Sequence, residues 1–558
     1  MPDTDDLVLP DPLPEAESEV LQLVSDLIRI DSSNYGDGTG PCEAEAAEYV
    51  EARLREVGLD PERYSCGARR DGVVVRIAGK DRTRGALLVH GHLDVVPARA
   101  EDWSVPPFGA EIAEDDGVPM LWGRGAVDMK DMCGMTLAVV RSWARSGVTP
   151  ERDVVVNFLP DEEAGGQYGS HWLVDNRPDM FDGVTEAVGE VGGFSMTVRD
   201  DLRLYLVQTA EKGIGWLRLT ASGRAGHGSM LNRENAVVAL CDAVARLGRM
   251  ELPVHVTPTV RDLLAVLSDV TGTRLDPHDL DRTLESLGSM ATLVGATLTN
   301  TVNPTMVSAG YKANVIPGTA QAHVDTRFLP GWENEMLTAI DEILGDGVVR
   351  EFAHHDIAVE TTFDGPSIEL MAAALRAEDP QALAVPYMLS GGTDAKAIST
   401  LGIRCYGFAP LRLPPTLNFG ALFHGVDERV PLDALTFGTR VDFSGYNFSS
   451  SGYLDPNVGT STNGHACVNT SGCEHFGFSL GAQPTATHYY WTDDAAQRIG
   501  NLPMDVPTPT WTYVLPGGNK DPELHAEIEV QNPDAIWMKV FKTELNRPVK
   551  LNELMSSN

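Results

Sequence analysis

A chain of 558 residues exceeds what one hydrophobic core serves, so several domains are expected. Its formal charge of −37, from 80 acidic against 43 basic residues, argues against nucleic acid or an anionic membrane surface as a partner. An apolar fraction of 42% can build several cores and argues against wholesale disorder. The start, MPDTDDLVLPDPLPEAES, is acidic and Pro-rich and lacks the basic lead and apolar run of a secretory signal. No stretch approaches the roughly 18 apolar residues that would span a bilayer. Seven cysteines, an odd number, do not suggest a secreted disulfide framework. A cytoplasmic protein without membrane insertion is the expectation.

Periodicity predicts a helix over Glu15–Arg29, with Val20, Leu21, Leu23, Val24, Leu27 and Ile28 on its apolar face, and a second over Ala46–Val57. Apolar runs at Val73–Ile77, Ala86–His90 and Val154–Leu159 are strand-length, and Met132–Ser146 reads as a helix between two of them. Strands alternating with helices predict a largely parallel sheet covered on both faces, whose ligand site lies at the carboxyl ends of its strands. From Gly213 the texture changes. Trp216–Ala221 alternates as a half-exposed strand, a helix follows at Asn235–Leu247, and Ala320–Phe328 alternates again. This segment suits a separate α+β domain inserted into the first. The α/β pattern resumes after Pro330-Gly331 and continues to about Val441. Residues 442–558, rich in Gly, Ser, Thr, Asn and aromatics, suggest a small β-rich module with strand-like pieces at His488–Thr492, Thr510–Leu515 and Ala526–Val530.

Carboxylates and histidines follow the apolar runs. In ALLVHGHLDVVP, His92 and Asp94 come just after a strand at i and i+2, a spacing that lets Asp94 orient the His92 ring. His90 is left as a structural residue. Asp128 stands in the glycine-broken WGRGAVDMKDM, where a turn or cap role competes with a ligand role. LPDEEAGG places Asp161, Glu162 and Glu163 side by side, and three adjacent carboxylates repel unless a cation or solvent screens them. Glu190 in GEVGG and His424 in FHGVDE occupy similar positions. His92, Asp128, Glu163, Glu190 and His424 together offer two imidazoles and three carboxylates, the ligand types that suit zinc and related divalent ions. Glu162, next to a ligand, would be free to move protons.

The ordered motifs HGHLDVVP, WGRGAVDMKDM, DEEAGG, GEVGG, GRAGHGS and SGGTDA…FHGVDE resemble the M20 (M20/M25/M40) metallopeptidases over about residues 15–440. Carboxypeptidases, dipeptidases and N-acyl-amino-acid deacylases belong to that family. The resemblance implies a phosphorylase/hydrolase-like α/β zinc-peptidase domain (residues 1–212 and 329–441) interrupted by an α+β lid and dimerisation domain (residues 213–328). It implies two Zn2+ ions, with Co2+ or Mn2+ as alternatives. His92 and Glu190 would hold one, Glu163 and His424 the other, and Asp128 would bridge. Glu162 would be the general base, supported by Asp94 beside His92. His227, in GRAGHGS, would reach the partner subunit of a homodimer and steady the oxyanion. Asn303, Arg327 and Gly392 would hold the substrate, a small peptide or N-acyl amino acid. Against the family pattern, Asp131 stands where Gly is usual, and DFSGYNFSSSGY replaces the helix expected to close the domain after FGTRV.

In the last module, His465, Cys467, Cys473 and His475 suit free thiols, a hairpin disulfide or a structural zinc, and the module is expected to mediate assembly. Two further readings stay open: an amidase of modified amino acids such as N-carbamoyl compounds, and a catalytically silent scaffold acting through residues 442–558.

Overall fold

The computed structural model describes residues 14–447, apart from residue 200 and most of 278–293, and beyond 447 the backbone of five short strands. The chain divides into two compact units, Leu9–Ser449 and one drawn chiefly from Ser450–Asn558. Among the described residues no helix is long and apolar enough to cross a membrane.

The larger unit is built on a ten-stranded sheet. Its centre is parallel: Val154–Leu159, Ala86–His92, Val184–Gly189 and Arg404–Gly407 lie side by side. The first two are buried along their whole length, as expected of apolar strands covered on both faces. Both flanks are antiparallel, so the sheet is mixed rather than largely parallel. On one side Glu62–Gly67 and Arg70–Ile77 form a hairpin, because the two residues between them are too few for a parallel crossover. On the other, Leu202–Glu211 runs antiparallel to Ser195–Arg199 and Val359–Glu360 and parallel to Ala382–Leu389. Helix Lys130–Ser146 is buried through most of its length and ends at Gly147, whose left-handed φ of 66° stops it. It packs against Pro14–Arg29 and the closing helix Leu432–Asn447. That last helix runs on through Asp442-Phe443-Ser444-Gly445 to Asn447, correcting the expectation that DFSGYNFSSSGY replaces the closing helix. Ser444 and Gly445 are weak helix formers, and both fall within its last turn.

A second, four-stranded sheet has the order Thr301–Ala309, Thr319–Phe328, Gly213–Ser222, Val348–Asp356. One face buries Leu217, Leu219, Ala322 and Val324 under helices Ala236–Leu247 and Glu333–Leu344. Asn235 caps the first of these helices by accepting from the amides of Val237 and Val238. The sheet's fourth strand and the helix before it lie beyond Phe328. Strand Thr301–Ala309 is an edge, with Met306 and Val307 exposed.

In the smaller unit, strands Tyr489–Thr492, His475–Leu480, Thr510–Val514, His525–Glu529 and Val549–Lys550 form one sheet in that order, antiparallel but for its last pair. Cys467, Cys473 and His465 lie outside the described residues.

Candidate active site

The parallel strands deliver their functional residues at their carboxyl ends, where an open α/β sheet presents its crevice. His92 is the last residue of Ala86–His92 and pairs in register with Leu159. Two residues beyond Leu159 the chain turns through Asp161, at a left-handed φ of 70°, into the one-turn helix Glu162–Ala164. Glu190 follows Val184–Gly189 directly. Asp128 comes just before helix Lys130–Ser146, and His424, also left-handed at φ 57°, enters from the loop after Phe419–Ala421.

These side chains meet. His92 Nε2 lies 3.2 Å from Asp128 Oδ1, 3.5 Å from Glu190 Oε2 and 3.8 Å from Glu162 Oε2. His424 Nε2 lies 3.2 Å from Asp128 Oδ2 and 2.9 Å from Glu163 Oε2. Asp128 therefore stands between the two imidazoles with one oxygen toward each. Four carboxylates and two imidazoles share one largely buried pocket, and the electrostatics register the crowding. Burial, then the charge of Glu190, pushes the Glu162 carboxyl well above the ordinary range, and burial lifts Glu190 to about 8. Burial opposes charge on the His92 ring, yet Glu190, Asp128 and Asp94 raise its pKa well above 6.5. Hydrogen bonding to Asp128 and Glu163 raises His424 to about 10. Such a knot of anions and imidazoles calls for added positive charge, and His92, Asp128 and Glu163, like His92, Glu162 and Glu190, offer donor atoms within 4.8 Å of one another. The donor chemistry fits divalent cations.

Asp94 differs in detail from its expected role. The His92 Nδ1 atom is 2.9 Å from the backbone carbonyl of Asp94 and 3.5 Å from its carboxylate. The strand ends at His92, so the two side chains do not share an extended face. The carboxylate also accepts from the amides of Glu162 and Glu163, both at 3.1 Å, and from Asn34 at 2.8 Å. It holds the acidic turn as much as it orients the imidazole.

Other supports were not apparent from the sequence. Asn34 also donates to Asp161, and Arg70 donates to Asn34 at 2.7 Å and to Glu43 at 2.5 Å, all of them buried. Glu428 accepts from the amides of Val127 and Asp128, at 2.7 and 3.2 Å, and from Arg124 at 2.6 Å. The only available hint was the position of Glu428, four residues beyond His424. Asp394, buried in SGGTDA, is pushed up to about 7 by burial.

The remaining sequence candidates lie elsewhere. His227 sits on an exposed two-stranded ribbon, Gly226–His227 against Val315–Ile316, and bonds Ser229 at 2.8 Å. Asn303 is on the exposed edge strand, opposite Asp325. Arg327 makes a two-pronged pair with Asp325, at 2.7 and 3.0 Å. Among the described residues none of the three is hydrogen-bonded to the histidine–carboxylate group. Gly392 stands beside Lys396 and Ile214 of strand Gly213–Ser222, where a Cβ would fall 2.5 and 2.8 Å from their side chains.

A sequence model of peptidase family M20/M25/M40 matches residues 88–442. The chain belongs to this family. Aminoacylase-1 of Pongo abelii is 27% identical over 392 residues, 69% of this chain and 85% of that protein. Among solved structures, the dipeptidase Dug1p of Saccharomyces cerevisiae has a TM-score of 0.58 at 16% identity, covering 78% of this chain and 97% of that one. The M20 family metallo-carboxypeptidase Sso-CP2 of Sulfolobus solfataricus has a TM-score of 0.56 at 16% identity, covering 77% and 99%. At such identities the structural likeness concerns the fold. The M20 enzyme described here is a metal-dependent amide-bond hydrolase.

Proposed function

We propose that this M20 enzyme uses two zinc ions to hydrolyse the amide bond of a small N-acyl amino acid or dipeptide. The observation that carries the reading is the placement of Asp128 between the imidazoles of His92 and His424, with Glu190 on one side and Glu163 on the other. His92 and Glu190 would hold one ion, Glu163 and His424 the second, and Asp128 both. When bound, such ions polarise the scissile carbonyl and make water a competent nucleophile near neutral pH.

Glu162 does the proton work. Its carboxylate is 3.8 Å from His92, buried, and raised in pKa, which suits a group that takes a proton from water and returns it to the leaving amine. Its backbone amide is fixed by Asp94, so the side chain swings from a held main chain. His227 steadies the developing oxyanion of a partner's site. Its exposure, together with the exposed edge of Thr301–Ala309, supports a homodimer formed through the lid, which we assign to the four-stranded sheet and its helices. Asn303, Arg327 and Gly392 hold the substrate's carboxylate and amide groups. A carboxylate substrate would compete with Asp325 for the Arg327 guanidinium.

The test is a chelator-sensitive assay over dipeptides, N-acyl and N-carbamoyl amino acids, with zinc content measured in parallel. Hydrolysis of N-acyl amino acids or dipeptides is expected, abolished by chelation and restored by zinc. Glu162→Gln should keep its zinc and lose about 10²–10⁴ in kcat. Full activity in that variant, or turnover unaffected by chelation, sinks the reading. Exclusive N-carbamoyl turnover would place the enzyme with the modified-amino-acid amidases instead.

A further inference from the structure

The chain passes between its two sheets twice, and both passages are short. Outward, only Lys212 separates Leu202–Glu211 of the large sheet from Gly213–Ser222 of the lid. On the way back, Ile357 and Ala358 alone separate Val348–Asp356 from Val359–Glu360. The passages touch: a Cβ on Gly213 would stand 2.9 Å from the Ala358 nitrogen and 3.0 Å from the Asp356 carbonyl. A rotation of the lid bears directly on these few residues, since hydrogen-bonded strands lie on either side, and also on the segments flanking helix Pro258–Thr271, which packs against Ala382–Leu389 of the large sheet.

One buried ammonium spans both. Lys396 Nζ donates to the Lys212 carbonyl at 2.6 Å and to the Ile357 carbonyl at 2.9 Å, and lies 3.4 Å from Glu211 Oε2. An ammonium has three donors, and these three acceptors match them. Lys396 is 1% exposed, and a buried lysine is tolerated only when its charge is answered in this way. Its acceptors are the backbones of the two crossings and the residue that begins the first.

The clamp also reaches the active site. Glu211 accepts from the Thr393 amide at 3.0 Å and hydroxyl at 2.6 Å, which fixes the loop carrying Gly392 and Asp394. It accepts as well from Gln208 at 2.8 Å, and Gln208 takes the amide of Val191, next to Glu190, at 3.0 Å. On the lid side, Lys212 donates its own ammonium to the carbonyls of Ala296 and Thr299, at 2.9 and 2.8 Å. The hinge is therefore stapled to the lid by one lysine and to the catalytic body by another.

We propose that Lys396 is a positioning residue that clamps both lid crossings and, through Glu211, couples the lid's angle to the Thr393 loop and the Glu190 strand. It touches no reacting atom. Its role is to keep residues carried by the lid in register with the body, where a displacement of about 1 Å is costly.

The test is a distance measurement on the zinc-loaded full chain. Cys241, exposed on the lid helix, carries one spin label, and Asp60→Cys, exposed on the body, carries the other, with Cys467 and Cys473 replaced by Ser. Lys396→Met keeps the chain length and removes the donors. It is expected to broaden the lid–body distance distribution and to lower kcat/KM roughly ten- to a hundredfold at unchanged zinc content. A lower melting temperature with an unchanged distribution is what mere burial predicts, and it overturns the proposal. Should Lys396→Met fail to fold, Gly392→Ala pushes on the Lys396 Cε without removing the charge. A broadened distribution there supports the clamp; an unaltered one refutes it. Because the distance readout needs no substrate, it is independent of whether the amide-hydrolase reading holds.

Discussion

The large sheet and the four-stranded sheet, the proposed body and lid, carry their candidate functional residues in opposite ways. In the body, each candidate ligand sits at a strand's end or a tight turn, and other groups fix the main chain of the loops around them. Glu428 takes the Asp128 amide, Asp94 the amides of Glu162 and Glu163, and Gln208 the amide of Val191. The lid's candidates are exposed or occupied by neighbours: His227 by Ser229, Arg327 by Asp325. A site assembled within one chain can be held in advance by main-chain bonds. Residues that act from another element or on another subunit, as proposed for His227 and Arg327, would not be locked in the same way and would rest against local partners until used.

The contrast breaks first at Asp128. If the body's geometry is preassembled around cations, Asp128→Asn should lose zinc and lower kcat/KM by about a thousandfold or more, matching the several kcal/mol a metal-held carbonyl contributes. Metal analysis and kinetics on one sample check it. Retained zinc and near-native rates would mean that the side chain between the two imidazoles is not a ligand.

His227 sharpens the other half. His227→Ala should cost about 10²–10³ in kcat, the usual loss for one oxyanion donor, without loss of zinc. Whether it acts across a dimer is read by mixing. Chains bearing His227→Ala, refolded or co-expressed with chains bearing Glu162→Gln, should recover activity that neither has alone. One site of the mixed dimer would then hold an intact Glu162 and receive an intact His227. No recovery in a confirmed mixed dimer would return His227 to the surface.

Much of the body was legible because two periodicities coincide with the chemistry. Ala86–His90 and Val154–Leu159 are mostly apolar runs of strand length, consistent with strands covered on both faces, and candidate site residues follow closely after them. The order of motifs then distinguishes a shared site from scattered acidic turns. What was not legible is what lies opposite those motifs in space. Asn34 and Glu43 come from the loop between the first two helices and Arg70 from the hairpin, in stretches with no patterned spacing to His92. Lys396 reads as one more lysine until topology places Lys212 and Ile357 against it. Ser444 and Gly445 look like a break in the sequence because both are weak helix formers, yet the helix runs through them to Asn447. The i, i+2 spacing shows Asp94 beside the His92 ring, at 3.5 Å, but not the bonds its carboxylate takes from the Glu162 and Glu163 amides.

Asn34 tests whether these unpatterned supports matter. Its amide bridges Asp94 and Asp161, the two carboxylates that shape the acidic turn. Asn34→Ala should weaken zinc affinity or kcat about 10–100-fold, as loss of an outer-shell partner does. Titration with a competing chelator gives the affinity. An unchanged affinity and rate would show that Asp94 and Arg70 suffice to hold the turn.

The smallest expected effect concerns Asp131, where the body violates its own rule that polar groups be met. The residue is buried in the first turn of Lys130–Ser146, and among the described residues its Oδ1 has no hydrogen-bond partner. Burial, with Glu428 and Asp128 adding repulsion, lifts its pKa to about 8. The unfolded chain releases this proton near the ordinary value of 3.8, while the folded chain keeps it to about 8. Between those limits the unfolded state binds fewer protons, so stability falls as pH rises and then levels off. Asp131→Asn removes the titration and should stabilise by on the order of 1 kcal/mol at pH 8, with little gain at pH 4. Denaturant melts at the two pH values, at fixed zinc content, measure the difference. A gain equal at both would trace the effect to packing, and a loss at pH 8 would show that the charged form of Asp131 is met in the folded enzyme after all.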